Sequence, residues 1–345
     1  ARGGFTSIAP MPNTRPATDC PERIALVRQK AAQACGVHVW PIGAVTWGQK
    51  GQALTDAAAL KEAGAVALSD DGMPVQNANL LRDALIRCRR QELTILSHCE
   101  DADMVKNYAV NEGRVSRALG LPGRPAIAEE LQVMRDAMLA EETGAAVHIC
   151  HISTARSVEI VRQFKKKGVP ITCETCPQYF ALTEDELLSR GTLARVNPPL
   201  RTRLDVEGIL AGLKDGTIDV IATDHAPHSA EEKARPLPEA PSGMVGLETA
   251  LAVTLTSLYH TGVMDLSDIL RKMTINPAFI LRIPKGRLSL GGGADFTIFD
   301  PDEEWTVDPE QFASKGRNTP FAGRTLKGRV KYTIVDGKII YQEGK

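Results

Sequence analysis

The chain has 345 residues, of which 41 are basic and 42 acidic, for a net charge of −1. That balance excludes the basic footprint of a nucleic-acid or membrane-surface protein. Forty-three per cent apolar residues in mixed order describe a soluble globular chain. No apolar run approaches the ~18 residues of a membrane span, and no signal-peptide pattern is present.

The opening residues Ala1-Arg2-Gly3-Gly4 read as the tail of a helix with glycine at its C-cap. With no initiator methionine, they lead us to expect a sequence that has lost its beginning. Seven strand-like apolar runs follow, at 5–11, 37–45, 65–68, 93–97, 145–149, 170–176 and 218–223. Amphipathic segments separate them at 21–34, 54–63, 80–90, 129–142, 155–167 and 206–213. This alternation predicts a parallel sheet with helices outside, an α/β fold. A (β/α)8 barrel needs eight strands, so the eighth is expected to precede Ala1. An open doubly wound sheet is disfavoured because no GxGxxG follows an early strand. Beyond about residue 285 the texture becomes β-rich. The run 291–300 reads as a glycine turn entering a strand, and 330–341 as a hairpin about Asp336-Gly337. The expected division is a barrel of residues 1–285 and a small β module of residues 286–345. The charged, proline-rich segment 229–242 reads as a loop beside the site.

The cysteines are Cys20, Cys35, Cys88, Cys99, Cys150, Cys173 and Cys176. An odd number in a large chain reads as reduced cytoplasmic thiols rather than a disulfide framework. Cys173 and Cys176 have a CxxC spacing on a strand, but no second CxxC completes a zinc site, so a structural role is expected.

Candidate chemistry gathers at four strand ends: Asp70-Asp71, His98, His148 to His151, and Asp224 to His228. Of seven histidines, five lie at these ends, the exceptions being His38 and His260, which read as structural or surface residues. In parallel αβ folds the carboxyl ends of the strands face the active site. Imidazole and carboxylate together suit zinc and similar divalent ions. Strand residues three apart point to opposite faces, so only one of His148 and His151 can ligate. His151, nearer the strand end, is the better candidate. Asp70 and Asp71 likewise diverge, one of them free to stabilise the turn at Gly72. His98 could equally be a buried strand histidine bonded to backbone. The run Lys165-Lys166-Lys167 is a solvated helix end.

With these pieces in place the chain resembles a bacterial dihydroorotase of the amidohydrolase superfamily, the class with Asp where relatives carry a carboxylated Lys. The matching pieces are Met11-Pro12-Asn13-Thr14, Pro41-Ile42-Gly43-Ala44, Ser69-Asp70-Asp71-Gly72, Ser97-His98-Cys99-Glu100, His148 to Thr154, Val196 to Arg201 and Ala222 to His228. They stand in the family order over nearly the whole chain. The resemblance implies a TIM barrel of the metal-dependent hydrolase type, lacking its first strand, with a partial β-sandwich module. It implies reversible cyclisation of N-carbamoyl-L-aspartate to L-dihydroorotate in pyrimidine biosynthesis. Asp71 would bridge two metal ions, and His98 and His151 would hold the second. Asp224 would bind the first and act as general base and acid. Asn13, Asn197 and His228 would contact the substrate. The family's His-x-His and the Arg after it, ligands to the first metal and to the substrate carboxylate, are not in this sequence. The complete site therefore implies two Zn²⁺ ions, and this chain one or none. The implied setting is cytoplasmic, with a homodimer and aspartate carbamoyltransferase as partners. Two other readings stay open. The segment 174–179 is more like hydantoinases and allantoinases, and a non-catalytic homologue supporting aspartate carbamoyltransferase would not need the His-x-His.

Overall fold

The computed structural model describes residues 1–34, 36–106 and 108–344. Parallel pairing runs through strands β1 (Ser7–Ile8) and β2 (His38–Val39), then through β3 (Ile42–Ala44), β4 (Ala67–Ser69), β5 (Thr94–Ser97), β8 (Val147–Ile149), β9 (Ile171–Thr175) and β10 (Val220–Ile221). A two-stranded flap, β6 (Val110–Asn111) with β7 (Gly123–Arg124), interrupts the order in sequence but not the main sheet.

All seven strand runs read from the sequence are present. The run 37–45 is split into β2 and β3 at Pro41, which has no N–H to give a ladder. The pairing nevertheless carries on across the break. Trp40 N–H donates to the Ile8 carbonyl at 2.9 Å and Ile42 N–H to the Pro10 carbonyl at 3.3 Å. Among the described residues no ladder joins β1 to β10, so the barrel is open along that seam. Ala1 to Gly4 form a hydrogen-bonded turn, Gly4 N–H to the Ala1 carbonyl at 2.9 Å, rather than an assigned helix.

Helices Pro21–Ala34, Ala57–Ala63, Ala78–Arg90, Ile127–Thr143, Ala155–Lys166 and Arg203–Lys214 connect these strands. On Ala78–Arg90 the buried residues are Leu81, Ala84, Leu85 and Cys88, spaced three, one and three apart as one helical face requires. They belong to one core with Ile95, Val147, Ile149 and Ile171 of the strands. Each fully buried Leu or Ile contributes about 1.5–3 kcal/mol of transfer free energy. This continuous core fixes the strand ends relative to one another, which is what positions the site.

The last part of the chain forms an antiparallel sheet of β11 (Phe296–Thr306), β12 (Thr325–Val335) and β13 (Lys338–Gln342). The expected hairpin is present: Asp336 (φ +48°) and Gly337 (φ +75°) make the two-residue turn, both in the left-handed region that such turns demand. His38 has a structural task here. Its Nε2 lies 2.8 Å from Lys285 Nζ and 3.2 Å from Asp295, and Lys285 itself pairs with Asp295 at 2.5 Å, tying β2 to the start of β11. Six cysteines are free thiols, and Cys35 lies outside the described residues. No helix among the described residues is long and apolar enough to cross a membrane.

Candidate active site

Strand β4 ends at Ser69, and the chain turns at once. Met73 N–H closes onto the Asp70 carbonyl at 2.9 Å with Gly72 at φ +79°, a value a side chain rarely adopts. The two acids before the turn diverge as their spacing requires. Asp70 points into the loop after β3 and accepts from Val45 N–H (2.8 Å), Thr46 N–H (3.2 Å) and the Thr46 hydroxyl. Burial pushes its carboxyl up to about 6 against those donors. Asp71 points the other way, onto the ends of β5 and β8.

There it meets two imidazoles. Asp71 Oδ1 lies 3.7 Å from His98 Nδ1 and 3.5 Å from His151 Nε2, and the two nitrogens are 2.9 Å apart. A tetrahedral ion with N and O ligands at 2.0–2.2 Å places those ligands about 3.3–3.6 Å from one another. The three atoms therefore fit a single divalent cation between them. Both rings are buried, and His151 Nδ1 has no hydrogen-bond partner. His148 faces away from this triangle. It is bonded to Thr172 Oγ1 at 2.8 Å and to Glu174 at 3.2 Å, so His151 and not His148 joins the cluster.

Asp224 follows β10. Among the described residues the triangle of mutually close ligand atoms does not include it. It is near enough for its charge to act on His151, His98 and Asp71. Burial raises its carboxyl to about 6, with Asp71 and Glu174 adding to the rise and the two histidines opposing it. For His151 burial works downward, but the carboxylates of Asp71, Asp224 and Glu174 prevail and push the imidazole up to about 9. Asp71 itself is lowered: burial opposes this, and the His151 and His98 contacts with the Asn13 bond overcome it. His151 and Asp224 both have positive φ, +35° and +46°. Non-glycine residues in that region are strained, and such strain gathers at functional sites.

The three residues read as substrate contacts fall differently. Asn13 donates to Asp71 Oδ2 at 3.0 Å. Asn197 Nδ2 lies 3.4 Å from His98 Nε2, and its carbonyl oxygen accepts from Arg124. The His228 ring bonds the Ser242 carbonyl at 2.9 Å and lies 3.7 Å from Glu232. None of its described contacts reaches Asp71, His98 or His151. Sequence reasoning gave no role to Glu100, Arg124, Glu129 or Glu174. Glu100 Oε2 is 3.9 Å from His98 Nε2 and pairs with Arg124. A two-residue step from His98 along an extended segment was the available signal. For Glu174 it was a charge inside an apolar strand.

An open parallel barrel with an acid and imidazoles converging at its strand ends defines a cyclic amidohydrolase of the amidohydrolase superfamily. The comparisons agree. The Dihydro-orotase-like family matches residues 1–157 and the Amidohydrolase family residues 241–341. The dihydroorotase of Pelotomaculum thermopropionicum is 52% identical over 99% of this chain and 80% of its own length, and that of Acetivibrio thermocellus 50% over the same shares. Among solved structures, the L-hydantoinase (dihydropyrimidinase) of Arthrobacter aurescens superposes with a TM-score of 0.89 at 26% identity, over 100% of this chain and 79% of that one. The dihydropyrimidinase of Brevibacillus agri superposes at 0.85 and 21% identity, over 100% and 78%, a likeness of fold. The chain belongs to the dihydroorotase family.

Proposed function

We propose that Asp71, His98 and His151 hold one divalent cation, Zn²⁺ by donor type, and that Asp224 is the proton carrier for reversible ring closure of N-carbamoyl-L-aspartate to L-dihydroorotate. The observation that carries this reading is the triangle of ligand atoms with edges of 2.9, 3.5 and 3.7 Å. A bound ion supplies positive charge that polarises the ring carbonyl and acidifies water. The chain's own groups do the rest. In ring opening, Asp224 takes the proton of the attacking water and passes it to the ring nitrogen as the C–N bond breaks; closure reverses the order. A carboxyl raised to about 6 exchanges protons readily near neutral pH. Asn13 and Asn197, at the edge of the triangle, present amide groups to the substrate oxygens. His228 is assigned to the substrate with them from its place in the segment Ala222 to His228 after β10.

The same reading divides the chain into a barrel of 1–285 and a β module of 286–345. It includes a cytoplasmic homodimer and association with aspartate carbamoyltransferase, which sedimentation of the purified proteins tests. The test of the site is metal analysis after dialysis with Zn²⁺, alongside assay of dihydroorotate and hydantoin turnover. One tightly held zinc per chain, lost in His151→Ala, is expected. Undiminished zinc in that variant overturns the ligand assignment, and turnover of hydantoin in preference to dihydroorotate overturns the substrate.

A further inference from the structure

Lys233 ends the short helix Ala230–Lys233 and is buried, with 4% of its surface exposed. Its ammonium donates to three main-chain carbonyls: Pro241 at 2.9 Å, Gly243 at 3.0 Å and Arg195 at 3.3 Å. Those bonds use all three of its protons. Among the described residues no carboxylate pairs with it, so the charge is held by carbonyl dipoles alone. Burial, with the Arg195 guanidinium nearby, lowers its proton affinity to about 8. An apolar side chain would be buried there at less cost. What the ammonium supplies is a common partner for three carbonyls from two separate stretches of chain.

Those stretches border the segment that follows Asp224. Ser242, between two of the held carbonyls, gives its own carbonyl to His228 Nε2 at 2.9 Å. The Gly243 carbonyl also accepts from Asn318 Nδ2 at 3.0 Å, and Asn318 bonds the Ala226 carbonyl and the His228 N–H, each at 3.1 Å. Ala226 N–H donates to the Met244 carbonyl at 2.8 Å. There is little slack: Gly243 has φ +137°, and a Cβ on it would lie 2.6 Å from Ala226 Cβ and 3.0 Å from His228 Nε2.

We infer that Lys233 is a positioning residue for the reaction: by holding the carbonyls of Arg195, Pro241 and Gly243 it fixes Ser242 and, through it, the His228 ring that meets the substrate. The inference rests on the reading of His228 as a substrate contact and deepens it, by assigning the group that sets the ring in place. The clamp depends on a proton. The charged group facing Lys233 from another element is Arg195, whose guanidinium is turned to the Leu237 carbonyl and the Ser242 hydroxyl. Glu231, Glu232 and His228 lie on its own segment, Glu232 bonded to the Ser229 N–H, and the stretch 241–243 carries no charge. The ammonium is present at pH 7 and is lost as pH rises through about 8, which slackens the clamp on the alkaline side.

The test follows dihydroorotate hydrolysis by the zinc-loaded protein and its Lys233→Met variant from about pH 6.5 to about pH 9.5, with amide hydrogen exchange on both. At pH 7 the variant's KM is expected to rise about tenfold with kcat within about threefold, since binding and not the chemical step loses its support. Zinc content should stay the same. In the unaltered protein KM should climb through about pH 8 towards the variant's value, a step the variant lacks. The Ala226, His228 and Gly243 amides should exchange faster in the variant, and those of β5 and β8 at the unaltered rate. An unaltered KM in the folded variant, a kcat that falls in step with zinc, or the same dependence of KM on pH in both proteins overturns the inference. Should the variant not fold, the pH series of the unaltered protein decides, and a KM flat across pH 8 overturns it. Should neither protein turn over dihydroorotate, the activity falls and exchange alone judges Lys233: faster exchange in the variant upholds the clamp, and equal exchange overturns it.

Discussion

His98 Nδ1 and His151 Nε2 face each other across 2.9 Å, with their rings inclined at 74°. Two neutral lone pairs repel at that distance, so either a proton or a cation must sit between them. Asp71 beside the pair favours positive charge in either form.

Metal binding is therefore predicted to expel a proton. With His151 raised to about 9, the metal-free ring is protonated at neutral pH and must lose that proton to become a ligand. Calorimetry of zinc binding at pH 7 in buffers of different ionisation enthalpy should show about one proton released per ion. Apparent affinity should climb with pH and level off near 9. An affinity flat between pH 6 and pH 9 refutes the assignment.

The same groups set how the metal-free protein responds to pH. His151 is raised from an ordinary 6.5 to about 9, so its protonated form stabilises the fold. That contribution is full below pH 6.5 and is lost as pH rises through 9. Asp70 and Asp224, each raised to about 6, act in the same direction at lower pH, since ionising them inside the fold is unfavourable. In chelator, the urea midpoint should fall between pH 6.5 and pH 9, by at most about 3 kcal/mol of stability for His151. Saturating zinc should reverse the trend, and His151→Ala should flatten it.

Much of this site was legible because its ligands close apolar runs. His98, His151 and Asp224 each follow a strand that burial makes easy to recognise, and side-chain alternation sends Asp70 and Asp71, like His148 and His151, to opposite faces, while the choice of Asp71 over Asp70 came from the family resemblance alone. What could not be read was support that arrives from distant sequence. Arg124, on the β6–β7 flap, meets Glu100 and Asn197, and Glu129 meets the loop after His151; neither has a local pattern that marks it. The direction of His228 was equally hidden, because it is decided by Ser242 and Glu232 in a segment with no periodicity. Pro41 splits the run 37–45 into two strands without ending it. Proline removes the donor but not the parallel neighbour, and the bonds on either side keep the run in place.

Glu129 yields a prediction of its own. Its buried carboxylate accepts from Ser153 N–H (3.0 Å), Thr154 N–H (3.2 Å) and Ser157 Oγ (2.7 Å), and from the Ser153 hydroxyl, while Arg201 lies 3.5 Å away. These bonds hold the chain just past His151, whose φ of +35° is unfavourable without such restraint. Glu129→Ala leaves buried donors and the Arg201 charge unpaired, a loss of about 3–5 kcal/mol. Denaturant unfolding should register it, and zinc affinity should drop although no ligand has changed. Unaltered affinity in a folded Glu129→Ala protein shows that the loop needs no such restraint.

The last prediction separates proton transfer from architecture. Asp224 sits at φ +46°, where most side chains are strained but Asn and Asp are tolerated. Asp224→Asn keeps the side-chain shape and the backbone preference and removes only the charge and its basicity; alanine would confound these with strain. The triangle of Asp71, His98 and His151 does not contain Asp224, so zinc should still bind. Loss of a carboxylate near His151 should lower that ring's proton affinity, and zinc should compete for it at slightly lower pH. With no group to carry the proton between water and ring nitrogen, dihydroorotate turnover in the zinc-loaded protein should fall by about 10²–10⁴. The checks are zinc content, circular dichroism and the rate of dihydroorotate hydrolysis on one preparation. Retained zinc and fold with a collapsed rate assign Asp224 to proton transfer. A rate within a fewfold of the unaltered protein removes it from the mechanism, and loss of zinc in step with activity makes it a ligand instead.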